Sequence, residues 1–131
     1  MSRPTLLCFN VSASKLPKLR MACMSAAVLL QAVPPESFPQ PLGSLCGLMP
    51  PQADLPAPET PFTGEMLVMA NLSRPQAERL LNALRRSKQH FPLKAVLTPT
   101  NVHWDCAKLY QELTAERDAI ARGETDHHTA E

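Results

Sequence analysis

The chain has 131 residues, a formal net charge of +1 and a hydrophobic fraction of 44%. This length fits one domain that buries a core without disulfide support. The nearly neutral charge gives no global field that would attract nucleic acid or an anionic membrane. The composition therefore argues against both classes of partner before any motif is considered.

The first part of the chain predicts a strand, a helix and a second strand. Residues 5–11 form a mostly apolar run that is typical of a buried strand, and residues 28–33 form another. Between these runs, Ser12 or Ser14 can cap a helix that has an apolar stripe. We therefore predict a βαβ unit over residues 5–33.

A proline-rich connection follows over residues 34–61. It contains nine of the 14 prolines in the chain. Because proline cannot donate to a sheet ladder or lie inside a helix, we predict irregular backbone here. The apolar residues at positions 42–49 indicate that this part packs on the core, and we predict an extended linker for the rest.

The same order of elements recurs over residues 65–98. Apolar strand patterns cover residues 65–72 and 93–98. Between them, Ser73 and Gln76 have the spacing of a capping box, and the residues that follow form an amphipathic stripe. The recurrence predicts a second βαβ unit.

The two units predict one α+β domain over residues 1–122. The favoured architecture is ferredoxin-like βαββαβ, a four-stranded antiparallel sheet with two helices on one face. An extra C-terminal helix is predicted over residues 102–122, and residues 123–131 are predicted to be a disordered tail.

The first and third strands are apolar at both odd and even positions, as in Leu6-Leu7-Cys8-Phe9. A sheet with one solvated face would alternate instead. We therefore predict that the second face is covered. The C-terminal helix, the proline-rich connection or another subunit can cover it, and the last possibility would imply a homodimer.

The run Pro92-Leu93-Lys94-Ala95-Val96-Leu97-Thr98-Pro99-Thr100-Asn101, followed by Trp104, is unusual. It resembles a small bacterial family of domains of unknown function, and the resemblance covers about residues 65–113. The resemblance implies a short strand, a helix with a leucine stripe, this box and a final helix. It implies a bacterial, cytoplasmic protein and no particular activity.

The turn Thr98-Pro99-Thr100-Asn101 joins a strand to a predicted helix start. Free N–H groups at such a place can bind an anion, and Lys94 can add positive charge. Alternatively, Thr100 or Asn101 only caps the helix. Trp104, the single tryptophan, is an anchor for the core or an interface, or a stacking surface for a ligand. The candidate ligand site consists of Lys94, Thr98, Thr100, Asn101 and Trp104.

Other chemistry has little support in the sequence, and we predict no catalytic residue, metal or cofactor. His103 and Cys106 have a spacing that can place two ligands on one helix face, but a metal site needs three or four. The pair His127-His128 is interpreted as solvated. The four cysteines show no Cys-x-x-Cys, which favours reduced thiols in a cytosolic protein.

A local basic cluster lies on and after the second predicted helix, and we interpret it as a solvated face rather than a nucleic-acid site. Its members are Arg79, Arg85, Arg86, Lys88, His90 and Lys94. The leading hypothesis is a non-catalytic regulatory module that binds a small anionic ligand or a protein partner. The alternative is an adaptor that docks a larger partner through sheet edges or the proline-rich segment. A thiol- or metal-dependent enzyme is the third hypothesis.

Overall fold

The computed structural model describes residues 3–53, 55–56 and 62–121. This part of the chain contains a four-stranded mixed sheet and four α-helices, so the prediction of an α+β fold is confirmed. The strands are β1 Thr5–Phe9, β2 Leu29–Ala32, β3 Met66–Ala70 and β4 Leu93–Val96. The helices are α1 Leu16–Ser25, α2 Leu42–Leu45, α3 Arg74–Ser87 and α4 Cys106–Ala121. The predicted tail over residues 123–131, with His127 and His128, lies outside the described residues.

The strand order is β2-β1-β3-β4, which corrects the antiparallel ferredoxin-like prediction. The central strands β1 and β3 are antiparallel, but β1 pairs with β2 in parallel and β3 pairs with β4 in parallel. In the predicted order the two edge strands would exchange places. Both arrangements use the same βαβ units in the same chain order, and the preference for right-handed crossovers excludes neither. The local pattern therefore could not decide between interleaved units and the side-by-side units that are observed.

Both faces of the central strands are buried, as predicted. Every residue of β1 and β3 is buried. On one face, Leu6 and Leu67 pack in a core cluster with residues of α1 and α3. On the other face, Leu7 and Val68 pack with residues of the proline-rich connection and of α4. The C-terminal helix and the connection thus cover the second face within one chain.

Four aromatic rings attach the two ends of the proline-rich connection to this second core. Phe38 lies at its start and Phe62 just after it, and their rings stack with centroids 5.4 Å apart. Phe38 also meets Phe9 of β1 edge to face at 5.5 Å, and Phe62 stacks on Tyr110 of α4 at 4.4 Å. Such pairs stabilise a core beyond the area that they bury. The rings therefore bring Phe38 and Phe62 together on the second core.

Two asparagines occupy equivalent turns after β1 and β3. Asn10 and Asn71 both have left-handed backbone, with φ of 60° and 65°. The side chain of Asn10 donates to the carbonyls of Phe62 and Gly64, just before β3. The side chain of Asn71 donates to the carbonyl of Arg3, just before β1. Each turn is therefore tied to the entry of the other central strand, which repeats the two-fold relation of the units.

The starts of the two crossover helices differ. The capping box of α3 is present: the backbone N–H of Gln76 donates to Ser73 Oγ, and the backbone N–H of Ser73 donates to Gln76 Oε1. In α1 the N-cap position is Lys15, which makes no side-chain capping bond. The predicted caps Ser12 and Ser14 instead lie within hydrogen-bond distance of each other. The prediction of a serine cap is thus right for α3 and wrong for α1.

Substitution of Asn10 tests its left-handed turn. Asn10→Ala should lower the free energy of unfolding by about 2 kcal/mol, because it removes two hydrogen bonds and puts a Cβ-bearing apolar residue at positive φ. Asn10→Gly removes the same bonds without the conformational penalty, so its loss should be about 1 kcal/mol smaller. Urea unfolding measures both values. Equal losses in the two variants would contradict a role for the backbone conformation.

Candidate functional site

The turn Thr98-Pro99-Thr100-Asn101 is closed by its own side chains. The backbone N–H of Thr98 donates to Asn101 Oδ1 at 2.8 Å, and the backbone N–H of Asn101 donates to Thr98 Oγ1 at 3.1 Å. Asn101 Nδ2 donates to the carbonyl of Val96 at 3.1 Å. Asn101 is only 7% exposed, whereas Thr100 is exposed and makes no capping bond. Both polar atoms of the Asn101 carboxamide thus have partners, Oδ1 within the turn and Nδ2 at the end of β4.

Asn101 also shields one edge of the sheet. The N–H of Leu97 donates to Met69 of β3, so Val96 directs its carbonyl away from β3 and toward the outer edge. The bond from Asn101 occupies this carbonyl. A free edge carbonyl is a template for pairing with another strand, and native proteins commonly block it.

The predicted final helix starts later than expected. Asn101–His103 form a single 3₁₀ turn, Trp104 is extended, and α4 begins at Cys106 instead of residue 102. Asp105 caps α4, since its Oδ1 accepts a bond from the N–H of Lys108 at 2.8 Å. The box therefore ends in a helix start whose cap is an aspartate.

The structure does not bring all five predicted ligand residues together. Lys94 is opposite Leu67 in the β3–β4 ladder, on the sheet face that packs against α1 and α3. Trp104 packs with the core on the other face, and Lys108 Nζ lies 4.9 Å from the centre of its ring. Lys94 and Trp104 therefore lie on opposite faces of the sheet.

Lys94 borders a cleft of about 270 Å³ between the end of α3 and the start of β4. The residues that line this α3–β4 cleft are Leu81, Leu84, Arg85, Gln89, His90, Phe91 and Lys94. Phe91 and Leu84 form an apolar floor and are 2% and 5% exposed. Arg85, His90 and Lys94 are exposed at the rim. The cleft thus combines a hydrophobic base with basic side chains.

The cleft is positively charged because the segment that forms it contains cationic residues and no acidic ones. Between Glu78 and Asp105 the chain holds five Lys or Arg residues and no Asp or Glu. Cations at the end of α3 are also favourable because of the helix dipole, so Arg85 has a reason to be there without any ligand. Lys94 lies on β4, so the dipole of α3 does not explain its position.

A polar cluster fixes the loop that forms one wall of the cleft. Lys15 Nζ makes an ion pair with Glu65 at 2.6 Å, donates to the carbonyl of His90 at 2.9 Å, and lies 4.8 Å from the ring centre of Phe91. Gln89 Nε2 donates to the carbonyl of Lys15 at 3.3 Å. The N-terminal turn of α1 therefore holds residues 89–91 in place. Sequence reasoning missed this cluster, because Lys15 and Gln89 are far apart in the chain.

The cysteines are buried and free. Burial raises the pKa of Cys8 to about 11 and the pKa of Cys106 to about 12. Burial, with the nearby Cys8, raises the pKa of Cys23 to about 12, and burial also raises that of Cys46. Thiols with such values stay protonated at neutral pH and are poor nucleophiles.

His103 and Cys106, whose spacing can place two ligands on one helix face, do not share a helix: His103 is exposed on the 3₁₀ turn and Cys106 is fully buried in α4. Within residues 3–53, 55–56 and 62–121, no group of three metal-ligating side chains comes together. In the same residues, no helix is both long enough and apolar enough to span a bilayer.

Comparison with known protein families finds a match to part of the chain. Residues 65–120 match the model of a family described as a domain of unknown function, DUF3783. The matched stretch runs from β3 through α3 and β4 into α4, so it includes the whole α3–β4 cleft. No curated protein and no solved structure matches the chain.

Two alanine variants test the closed turn. Asn101→Ala should lower the free energy of unfolding by about 2 kcal/mol, because it leaves the Thr98 N–H and the Val96 carbonyl without their partners. Thr100→Ala should change it by less than about 0.5 kcal/mol, because Thr100 is exposed. Urea denaturation compares the two. Similar losses for both would show that the Asn101 bonds do not stabilise the turn.

The cysteine pKa values predict a loss of stability at alkaline pH. In the unfolded chain the thiols ionise near their ordinary pKa of 9.0, while the folded chain retains the protons of Cys8, Cys23 and Cys106 to higher pH. The unfolded state is thus favoured increasingly as pH rises above 9 toward 11–12. Unfolding free energies at pH 7.5, 9 and 10.5 should decrease in that order.

Cys23→Ala is the control for this effect, since other groups also titrate at high pH. The decrease between pH 9 and 10.5 should be shallower in this variant than in the natural chain. An identical decrease would show that the Cys23 thiol does not contribute.

Proposed function

We propose that this protein is a non-catalytic module that binds a small anionic ligand with an apolar body in the α3–β4 cleft. The observation that carries the proposal is the pairing of an apolar floor, Phe91 and Leu84, with the basic rim of Arg85, His90 and Lys94. A ligand gains by burying its apolar part on the floor and by placing its charge at the rim. Of the five residues predicted from sequence, this proposal uses Lys94. Ligand contacts by Thr98, Thr100, Asn101 and Trp104 remain a prediction.

Two observations favour binding over catalysis. The lining of the cleft has no Ser, Thr, Cys, Asp or Glu, so it offers no hydroxyl or thiol nucleophile and no carboxylate. His90 and Lys94 are the lining groups that could transfer a proton, and both are exposed at the rim without a carboxylate in the lining to orient them. The cysteines elsewhere are buried with raised pKa values. The same buried thiols support a cytoplasmic location, where cysteines remain reduced. A regulatory role would follow if ligand binding changed an interaction of the protein, and docking of a larger partner remains the alternative.

The rigid wall of the cleft supports a preorganised site. Residues 89–91 are held by Lys15 through a backbone carbonyl, a side-chain donor and a cation–π contact. Preorganisation lowers the entropy that a ligand would otherwise lose by ordering the loop. The Lys15–Glu65 ion pair therefore supports binding without contacting the ligand.

Matched probes test the charge requirement. Hexanoate and hexanol share an apolar chain, and only hexanoate is an anion. In a titration followed by amide NMR shifts, hexanoate should perturb Leu81, Gln89 and Lys94 at lower concentration than hexanol does. Lys94→Gln should weaken hexanoate binding about three- to tenfold, which corresponds to one charge-assisted contact at an exposed rim.

Lys108→Gln is the matched control, because Lys108 is an exposed lysine on the opposite sheet face, against Trp104. It should leave hexanoate binding unchanged. Shifts that avoid the cleft, or equal weakening by the two lysine variants, would overturn the proposed function.

A further inference from the structure

We infer that the natural ligand of the α3–β4 cleft is an N-acylated amino acid with a free carboxylate and an aliphatic side chain, either as a free molecule or as the C-terminus of a peptide. This inference rests on the proposed function and specifies its ligand. It comes from an unpaired acceptor in the wall of the cleft.

The acceptor is Oε1 of Gln89. This atom is closed off from solvent and has no hydrogen-bond partner among the described residues. Its assignment as oxygen follows from the other end of the carboxamide, which donates to the carbonyl of Lys15. A carbonyl only accepts, so the atom that bonds to it is Nε2 and the remaining atom is the oxygen.

An unpaired buried acceptor in a native protein calls for an explanation, because burial removes the water that would otherwise donate to it. Gln89 is half-buried and lines the cleft. The terminal torsion of glutamine is broad, but the carboxamide turns as a unit. Bringing Oε1 to a donor in the cleft therefore exchanges the bond from Nε2 to the Lys15 carbonyl for a bond to the ligand, while Lys15 still holds the loop through the His90 carbonyl and the Phe91 ring. A simple fatty acid has no such donor at neutral pH, and inorganic phosphate, which keeps an O–H, has no apolar body for the floor. The ligand therefore carries an N–H or O–H group in addition to its charge.

In an acylated amino acid, a carboxylate, an amide N–H and an aliphatic side chain are all attached to one carbon atom. Its carboxylate suits the rim cations Arg85 and Lys94, its amide N–H suits Gln89 Oε1, and its side chain suits the floor. The cleft volume of about 270 Å³ lies just below the usual range of ligand pockets, which is about 300–1,000 Å³. This size fits one residue rather than a long segment. A free primary amine fits less well, because its positive charge would face the basic rim.

The test compares probes that differ by one group. N-acetyl-leucine has the carboxylate, the amide N–H and the branched side chain. 4-Methylpentanoate has the same carboxylate and branched chain without the amide, and N-acetyl-leucinamide lacks the carboxylate. In calorimetric or NMR titrations of the full chain, N-acetyl-leucine should bind about tenfold tighter than either analogue, as expected for one hydrogen bond to a buried acceptor or one charge contact.

Variants at position 89 assign the difference to the proposed atom. Gln89→Met keeps the approximate shape and removes the acceptor, so N-acetyl-leucine and 4-methylpentanoate should bind it equally. Gln89→Glu places a negative charge in the wall and should abolish binding of both. Circular dichroism and urea unfolding check that each variant is folded.

The outcomes separate this inference from the proposed function. Equal affinities for N-acetyl-leucine and 4-methylpentanoate in the natural chain would overturn the inference and leave an anion-binding cleft. Absence of binding by both probes and by hexanoate would overturn the proposed function as well.

A longer probe distinguishes the two sources of the ligand. Acetyl-Ala-Ala-Leu places the same C-terminal group at the end of a peptide. Binding at least as tight as that of N-acetyl-leucine supports the C-terminus of a protein as the source. Exclusion of the peptide, with N-acetyl-leucine still bound, supports a free acylated amino acid.

Discussion

The antiparallel pairing of β1 with β3 is the interaction on which the rest of the structure depends. Both strands are buried along their whole length, so the ladder needs an apolar cover on each face. The crossover helices α1 and α3 supply one cover, and α4 with the proline-rich connection supplies the other. The position of the candidate cleft follows from this arrangement. α3 lies on one face of the sheet, and the chain must return from its end to the sheet to form β4, so the cleft lies between α3 and the start of β4.

Much of the fold could be predicted from local signals. Apolar runs without alternation predicted buried strands and a covered second face, and the Ser73–Gln76 spacing predicted the start of α3. The position of the edge strands could not be predicted, because the apolar pattern of β2 is compatible with pairing beside β1 and with pairing beside β3. The repeated Asn-x-Ser after each central strand, at Asn10 and Asn71, was a visible signal of the paired left-handed turns. It was missed because a single asparagine at a strand end is common.

Less of the candidate site was accessible from the sequence. The run from Pro92 to Asn101 is unusual in the sequence, but both polar atoms of the Asn101 side chain form hydrogen bonds within the protein, one in the turn and one at the edge of β4. Its hydrogen bonds show that the unusual local sequence serves backbone chemistry at a strand end. The cleft contains Arg85, His90 and Lys94 of the basic cluster. From the sequence this cluster was interpreted as a solvated helix face, because the pattern does not show that Phe91 and Lys94 lie next to α3 in the fold. Only the long-range contacts of Lys15 reveal that wall as a fixed surface.

The side-by-side order of the units also determines how far apart in the sequence the paired strands are. Thr5 pairs with Leu29 and Met66 pairs with Leu93, so the two outer ladders join segments within one unit. Only the central ladder joins distant segments, where Thr5 meets Ala70. Interleaved units would have made every ladder cross from one unit to the other, with more non-local contacts. The observed order therefore has a lower contact order than interleaved units would have, which favours faster folding, and the closure of the longest loop is confined to the pairing of β1 with β3.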